Sequence, residues 1–128
     1  MRKIFITGAN GFIGQNLVNY LSQYNYEIYA LIRSNTIPGF NLRKNIHLLY
    51  GDITDKDSLK KLFPDNSIII NLAANPYHPK LSFFTNVCGV ENLIDISKKK
   101  RVIKFIQFSS QATKLRKMGV YGLSKKLA

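Results

Sequence analysis

Three glycines, Gly8, Gly11 and Gly14, stand at intervals of three just after the apolar run Ile4-Phe5-Ile6. A strand, a glycine turn and a helix start bring backbone N–H groups and a positive helix end to one point, an arrangement that binds a pyrophosphate. Gly8 permits the tight turn, Gly11 lets backbone approach the phosphates, and Gly14 lets the helix pack on the sheet. Far along the chain, Tyr121 and Lys125 are four residues apart and share a face if that segment is helical. A free phenol titrates near pKa ~10, too high for a base at neutral pH, and a nearby ammonium lowers such a value. Such a pair can exchange a proton with a hydroxyl. Taken alone, the pair is better read as two residues that merely share a helix face. Ser109 and Ser110 end an apolar stretch and offer a third polar group.

Positioning these groups requires alternating strands and helices. Residues 3–7 read as a buried strand. Ile13, Leu17 and Leu21 then recur at helical spacing, with Val18 beside them. Residues 27–32 read as a second strand, and 34–45, with Pro38 and Gly39, as a loop. A third strand over 46–50 precedes a short helix over 55–63, for which Thr54 is the expected N-cap. Residues 67–73 form a fourth strand. A long helix over 81–100 is expected to bury Phe83, Val87, Val90 and Ile94. A fifth strand covers 102–108, and a last helix starts near Val120. Largely apolar strands between amphipathic helices predict a parallel sheet covered on both faces. The expected fold is α/β, a doubly wound Rossmann-type sheet of about five strands.

Composition sets bounds on the partners. A chain of 128 residues is one domain's worth, and 45% hydrophobic residues suffice for a core. No apolar run is long enough to span a bilayer, and Met1-Arg2-Lys3 opens no signal peptide pattern. Cys88, with no partner for a disulfide, is expected as a buried thiol in a reducing, cytoplasmic setting. A net charge of +12 favours anionic partners, yet the cations are spread along the chain. The densest run, Lys98 to Arg101, falls where a helix should end and complements its macrodipole. Zinc-ligand spacings and RNA-binding signatures are missing, so neither nucleic acid nor membrane is an expected partner.

The glycine loop reads Thr7-Gly8-Ala9-Asn10-Gly11-Phe12-Ile13-Gly14, which departs from Gly-x-Gly-x-x-Gly. Its TGxxGxxG form resembles the short-chain dehydrogenase/reductase family. "TGANGFIG" is most similar to the extended branch of NAD(P)-dependent sugar-nucleotide epimerases, dehydratases and reductases. "GDITD" at 51–55, "NLAA" at 71–74, "TNVCGVENLIDISKKKRVIKFIQFSS" and "YGLSK" resemble further motifs of that family, in its order. The family usually has His-Leu-Ala-Ala where this chain has Asn71-Leu72-Ala73-Ala74.

The resemblance implies roles. Gly8, Asn10, Gly11, Phe12, Ile13 and Gly14 would hold the pyrophosphate. Asp52 would hydrogen-bond the adenine amino group, and Ile53 would line the adenine site. Leu72, Ala73 and Ala74 would flank the cofactor, and Asn86 would help position the catalytic lysine. Tyr121 and Lys125 would be the acid–base pair for hydride transfer at a sugar carbinol, with Lys125 also touching the cofactor. Ser110 is the candidate third member; in many relatives the working hydroxyl falls one position later, at Gln111 here. "SSQAT" followed closely by "YGLSK" resembles a subgroup of bacterial polysaccharide-synthesis reductases and epimerases. Arg33 follows the second strand where NAD-binding members carry a carboxylate, so NADP is favoured over NAD.

Members of that family are longer than this chain. The resemblance thus implies that residues 1–128 are an NAD(P)-binding domain without the C-terminal sugar-nucleotide lobe. It also implies that the fifth strand is a sheet edge, which favours self-association, with a homodimer as one form. The alternative to an enzyme is a dinucleotide-binding module without turnover.

Overall fold

The computed structural model describes residues 1–128 except Arg116 and Met118. Five strands, β1 (Arg2–Thr7), β2 (Tyr26–Ile32), β3 (Ile46–Tyr50), β4 (Ser67–Asn71) and β5 (Lys104–Gln107), form one sheet. Their order is β3-β2-β1-β4-β5, and every pairing is parallel. The helices are α1 (Phe12–Leu21), α2 (Lys56–Leu62), α3 (Pro79–Phe83), α4 (Gly89–Lys99) and α5 (Val120–Leu127). This is the doubly wound α/β fold that the strand and helix pattern predicts.

Alternation along the central strand builds the two layers. Ile4 and Ile6 of β1 join Val18 of α1 and Ile28 of β2 in one buried cluster. Phe5, between them, points the other way and joins Leu59 of α2, Ile69 of β4, and Leu93 and Ile96 of α4. Phe5 and Phe63 meet with ring centroids 4.9 Å apart. Each such side chain contributes about 1.5–3 kcal/mol on burial, so the central strands anchor the domain.

Several local expectations are corrected. Asp55, not Thr54, caps α2, its carboxylate accepting from Ser58 N at 3.1 Å. Thr54 instead donates from its backbone N and its hydroxyl to Asp52 Oδ1. The fourth strand stops at Asn71, and the fifth is confined to Lys104–Gln107. Cys88 is half-buried. Ile13 is 54% exposed, and α1 turns Gly14 and Val18 inward.

The long helix differs most. It starts at Pro79, passes through a π-helical turn over Phe84–Cys88 and continues as α4. Its buried face carries Ser82, Thr85, Asn86, Gly89, Val90, Leu93 and Ile96. Phe83 is 46% exposed, and Ile94 is exposed as well. The first half of this helix faces α5 and the segment after β4, with Asn86 bonded to Ser124 and to Asn75 N, so hydrophobic spacing misidentifies its inner face.

Parallel pairing sets every strand start at one end of the sheet and every strand exit at the other. The glycine turn, residues 51–53 and residues 72–75 therefore meet at the exit end. The 34–45 loop runs from that end back along α1 to the start of β3. Phe40 is buried in the α1-side cluster, and Asn41 N donates to Asn19 Oδ1 at 3.0 Å. Among the described residues no helix is long and apolar enough to cross a membrane.

Candidate dinucleotide-binding site

The glycine turn is built by close approach. Gly8 has φ 64, and a Cβ there would lie 2.7 Å from Ala73 N. A side chain is excluded twice over, by conformation and by space. A Cβ on Gly14 would lie 2.7 Å from the Ala9 backbone and closer still to the Gly8 carbonyl. The helix can thus start directly on the turn. Gly11 is the N-cap residue of α1 and supplies no side-chain cap; the first helical bond runs from Gln15 N to Gly11 O at 2.9 Å. The N–H groups of the first turn, Phe12 to Gly14, consequently lack helical carbonyl partners and carry the positive end of the helix dipole.

The N-cap residue Gly11 lines a cleft of about 280 Å³ at the exit end of the sheet. Gly8, Asn10, Gly11, Arg33, Asp52, Ile53, Ala73 and Ala74 line it, as the motifs led one to expect. Thr36, Asn75, Pro76, Tyr77 and Thr85 line it as well. The last five were not singled out in the sequence. Asn-Pro marks a turn, and Thr85 adjoins Asn86, but neither signal points to a cleft. Phe12 and Ile13 lie outside the lining, and Phe12 is 86% exposed. Gly14 and Leu72 also lie behind the lining, Leu72 packing on the α1-side core.

Asn10 uses its side chain internally. Its Nδ2 donates to Ile37 O at 2.9 Å, and its Oδ1 accepts from Gly39 N at 2.6 Å. It staples the 34–45 loop to the glycine turn, and with it Arg33 and Thr36, whose hydroxyl bonds Arg33 O. Asp52 Oδ1 is held by Thr54, which fixes the carboxylate at the mouth. Ile53 is buried against α4, where a Cβ on Gly89 would come within 2.5 Å of its Cδ1. Gly89 thereby lets the helix close over the residue that forms the cleft floor.

Tyr121, Lys125 and Ser110 lie apart from this cleft lining, on α5 and the turn beneath it. Ser110 caps a 3₁₀ turn over Gln111–Lys114, its Oγ accepting from Ala112 N at 3.2 Å. The hydroxyl proton is left free for another acceptor. Lys125 is buried, and its Nζ donates to Phe108 O at 2.6 Å. That burial pushes its pKa below the usual lysine value. Asn86 reaches Ser124, not Lys125: its Nδ2 donates to Ser124 Oγ at 2.9 Å, and Ser124 Oγ donates to Tyr121 O at 2.8 Å. Its Oδ1 accepts from Asn75 N at 3.2 Å. One buried amide therefore links the cleft wall to the helix that carries Tyr121.

A second buried amide links the glycine turn to Lys125. Thr7 Oγ1 donates to Asn71 Oδ1, and Asn71 Nδ2 donates to Gln107 Oε1 at 2.8 Å. Gln107 Nε2 donates to Phe108 O at 3.3 Å, the same carbonyl that receives Lys125 Nζ. Asn71→Leu would leave Thr7 Oγ1 and Gln107 Oε1 without this partner. It is expected to cost about 2–4 kcal/mol, read as a lower midpoint in thermal or urea unfolding.

The model of the NAD dependent epimerase/dehydratase family matches residues 4–119. An uncharacterized membrane protein of Methanocaldococcus jannaschii (MJ1061) is 30% identical over 99% of this chain and 41% of its own length. The UDP-glucose 4-epimerase of Pisum sativum is 30% identical over 98% of this chain and 39% of its own. The chain thus spans about two-fifths of these relatives. The Bordetella bronchiseptica enzyme WbmG, solved in complex with NAD, superposes with a TM-score of 0.85 at 22% identity. That match covers 98% of this chain and 47% of WbmG. A glycine turn of this spacing, a five-stranded parallel sheet and a family match across nearly the whole chain agree, and the protein belongs to the NAD dependent epimerase/dehydratase family.

Proposed function

We propose that this chain binds a nicotinamide dinucleotide and contributes the proton-transfer half of a sugar-nucleotide-modifying reaction: epimerisation, dehydration or reduction. The observation that carries the reading is the uncapped N-terminus of α1, opening on a cleft that side chains at Gly8 and Gly14 would distort. A diphosphate fits this cradle because it supplies the acceptors that the first-turn N–H groups lack. Asp52, Ile53 and Arg33 would hold the adenosine end, and Ala73 and Ala74 would lie along the cofactor. When bound, the nicotinamide supplies hydride acceptance or donation.

The chain's own residues handle the proton. Tyr121 takes the proton of a substrate hydroxyl, or returns it, through its phenolic oxygen. Lys125, one turn on, stabilises the phenolate by its charge, and its burial strengthens that interaction. Ser110 donates its free proton to the substrate oxygen. Asn86 and the Thr7–Asn71–Gln107 chain hold these groups at the end of the sheet.

WbmG has been solved with UDP beside NAD, and the pea relative is a UDP-glucose epimerase, which supports a nucleoside-diphosphate sugar as substrate. The reading is tested by titrating the chain with NADH and following nicotinamide fluorescence. Saturable binding is expected, and its absence in the folded chain would overturn the reading. The preference for NADP rests on Arg33 at the cleft wall. Arg33→Ala is expected to lower NADPH affinity about tenfold while leaving NADH affinity unchanged. Equal effects on both cofactors would remove the basis for that preference.

A further inference from the structure

The cations that the sequence scatters are gathered by the topology. Every strand start lies at one end of a parallel sheet, and each preceding helix ends there. Arg2 and Lys3 open β1, Arg43 and Lys44 precede β3, and Lys60 and Lys61 close α2. The run from Lys98 to Arg101 ends α4, and Lys104 opens β5. Among the described residues, Glu27 and Asp65 are the acidic side chains at this end, and Asp57 reaches it from α2 by pairing with Lys60 at 3.2 Å. Glu27 sits beside Lys3 in the sheet, and Asp65 pairs with Lys100 at 3.5 Å. The remaining acids follow strand exits or lie along α2 and α4. The molecule is thus polarised, with the cleft at one end and a cationic face, about 20 Å across five strands, at the other.

Apolar tips stand among these charges. Met1 is 66% exposed ahead of β1, and Ile103 is 63% exposed ahead of β5. Tyr24 is exposed just before β2. A phosphodiester backbone gives Met1 and Ile103 nothing to bind, whereas a lipid headgroup boundary accepts apolar tips and attracts the lysines around them. Arg101 adds an independent sign. It follows the α4 C-cap at φ 50, a conformation that glycine adopts without strain and that arginine adopts at a cost. The strained position thus carries a cation on the same face.

We propose that the strand-start end of this domain docks on an anionic phospholipid surface, with the cleft facing away from the bilayer. Along the sequence these cations are spread out; in the folded molecule eleven of the nineteen stand at the strand-start end. The proposal depends on the fold and the charges, not on dinucleotide binding.

The test is sedimentation with vesicles of phosphatidylcholine, with and without about 30% phosphatidylserine. Binding is expected for the anionic vesicles alone and should collapse between about 0.1 and 0.5 M salt. Lys98→Glu, Lys99→Glu and Lys104→Glu combined should weaken it at least about 100-fold. The same reversal at Lys80, Lys114 and Lys117, after the strand exits, should leave it within about threefold. Circular dichroism and the thermal midpoint of both variants check that the fold survives. Ile103→Ser should weaken binding several-fold with all charges intact. Arg101→Gly should raise the thermal midpoint by about 3 °C and weaken vesicle binding about fivefold. Equal binding to neutral vesicles, equal loss in both triple variants, or tighter salt-sensitive binding to a short oligonucleotide than to the anionic vesicles would overturn the proposal.

Discussion

Gly11→Ala is expected to cost at least about tenfold in dinucleotide affinity and to move the thermal midpoint by no more than about 3 °C. Gly11 sits at φ −73 and ψ 169, which any residue adopts. A Cβ there meets one atom within 4 Å, the Gly8 carbonyl at 3.3 Å. The fold has room for a methyl, but the space it fills is the approach to the first-turn N–H groups. Replacing glycine by alanine at an N-cap costs under about 1 kcal/mol. Gly14→Ala tests the opposite case. Its Cβ would be driven into the backbone of Gly8 and Ala9, which cannot rotate away. The gain in helix propensity is about 1 kcal/mol, while overpacking against backbone costs about 3 kcal/mol or more. The net loss of about 2 kcal/mol corresponds to a midpoint lower by about 8 °C. Calorimetry and NADH titration on the two variants separate the roles. Unchanged affinity in Gly11→Ala would show that no phosphate approaches this turn.

Tyr121→Phe is expected to lower the rate of nicotinamide reduction or oxidation, with UDP-glucose as probe, by about 10²–10⁴-fold. Cofactor affinity should not change, because Tyr121 lies outside the cleft lining. Lys125→Met should lower the rate similarly, with a less obvious companion effect: the thermal midpoint should not fall. Burial lowers the Lys125 pKa, so the folded state holds this proton less tightly than the unfolded chain. The charge is therefore a stability penalty at neutral pH. The penalty fades as pH climbs from the folded-state value towards the ordinary 10.5. The bond from Nζ to Phe108 O is lost in the variant, but Gln107 Nε2 still donates to that carbonyl. Wild-type stability should thus rise with alkaline pH, and the rise should flatten in Lys125→Met. A midpoint that drops by more than about 5 °C would instead make Lys125 a structural tether.

Much of the fold was legible because its determinants are local. Strand β1 and the glycine turn are specified by a buried apolar run followed by glycines at positions where a Cβ has no room. The alternation of strand and helix carries the sheet's parallel character, Gly8 and Gly11 follow from their place after the first strand, and Arg33, Asp52 and Ile53 came from the family resemblance. Phe83 was expected inside because apolar spacing marks a core face only where the opposing surface is apolar, and this half of the helix meets α5 and the Asn75 segment through polar side chains. Along the other half the core face is Val90, Leu93 and Ile96, which leaves Ile94 outward. Thr54 and Asp55 are both competent caps, and the demand of Asp52 for a donor decides between them.

By itself, then, the sequence determined the strand and helix alternation, the glycine turn and the family. Each is encoded in residues that are neighbours along the chain or one helical turn apart. Tertiary structure alone decided which amide links Tyr121 to the cleft, which chain of groups joins Thr7 to Lys125, and where the cations stand. Asn71 and Gln107 are far apart in sequence and meet because β4 and β5 pair in register. Arg2, Lys44, Lys99 and Lys104 share one surface because parallel strands all start at the same end. Local spacing carries no record of such pairings, which become fixed when the sheet closes.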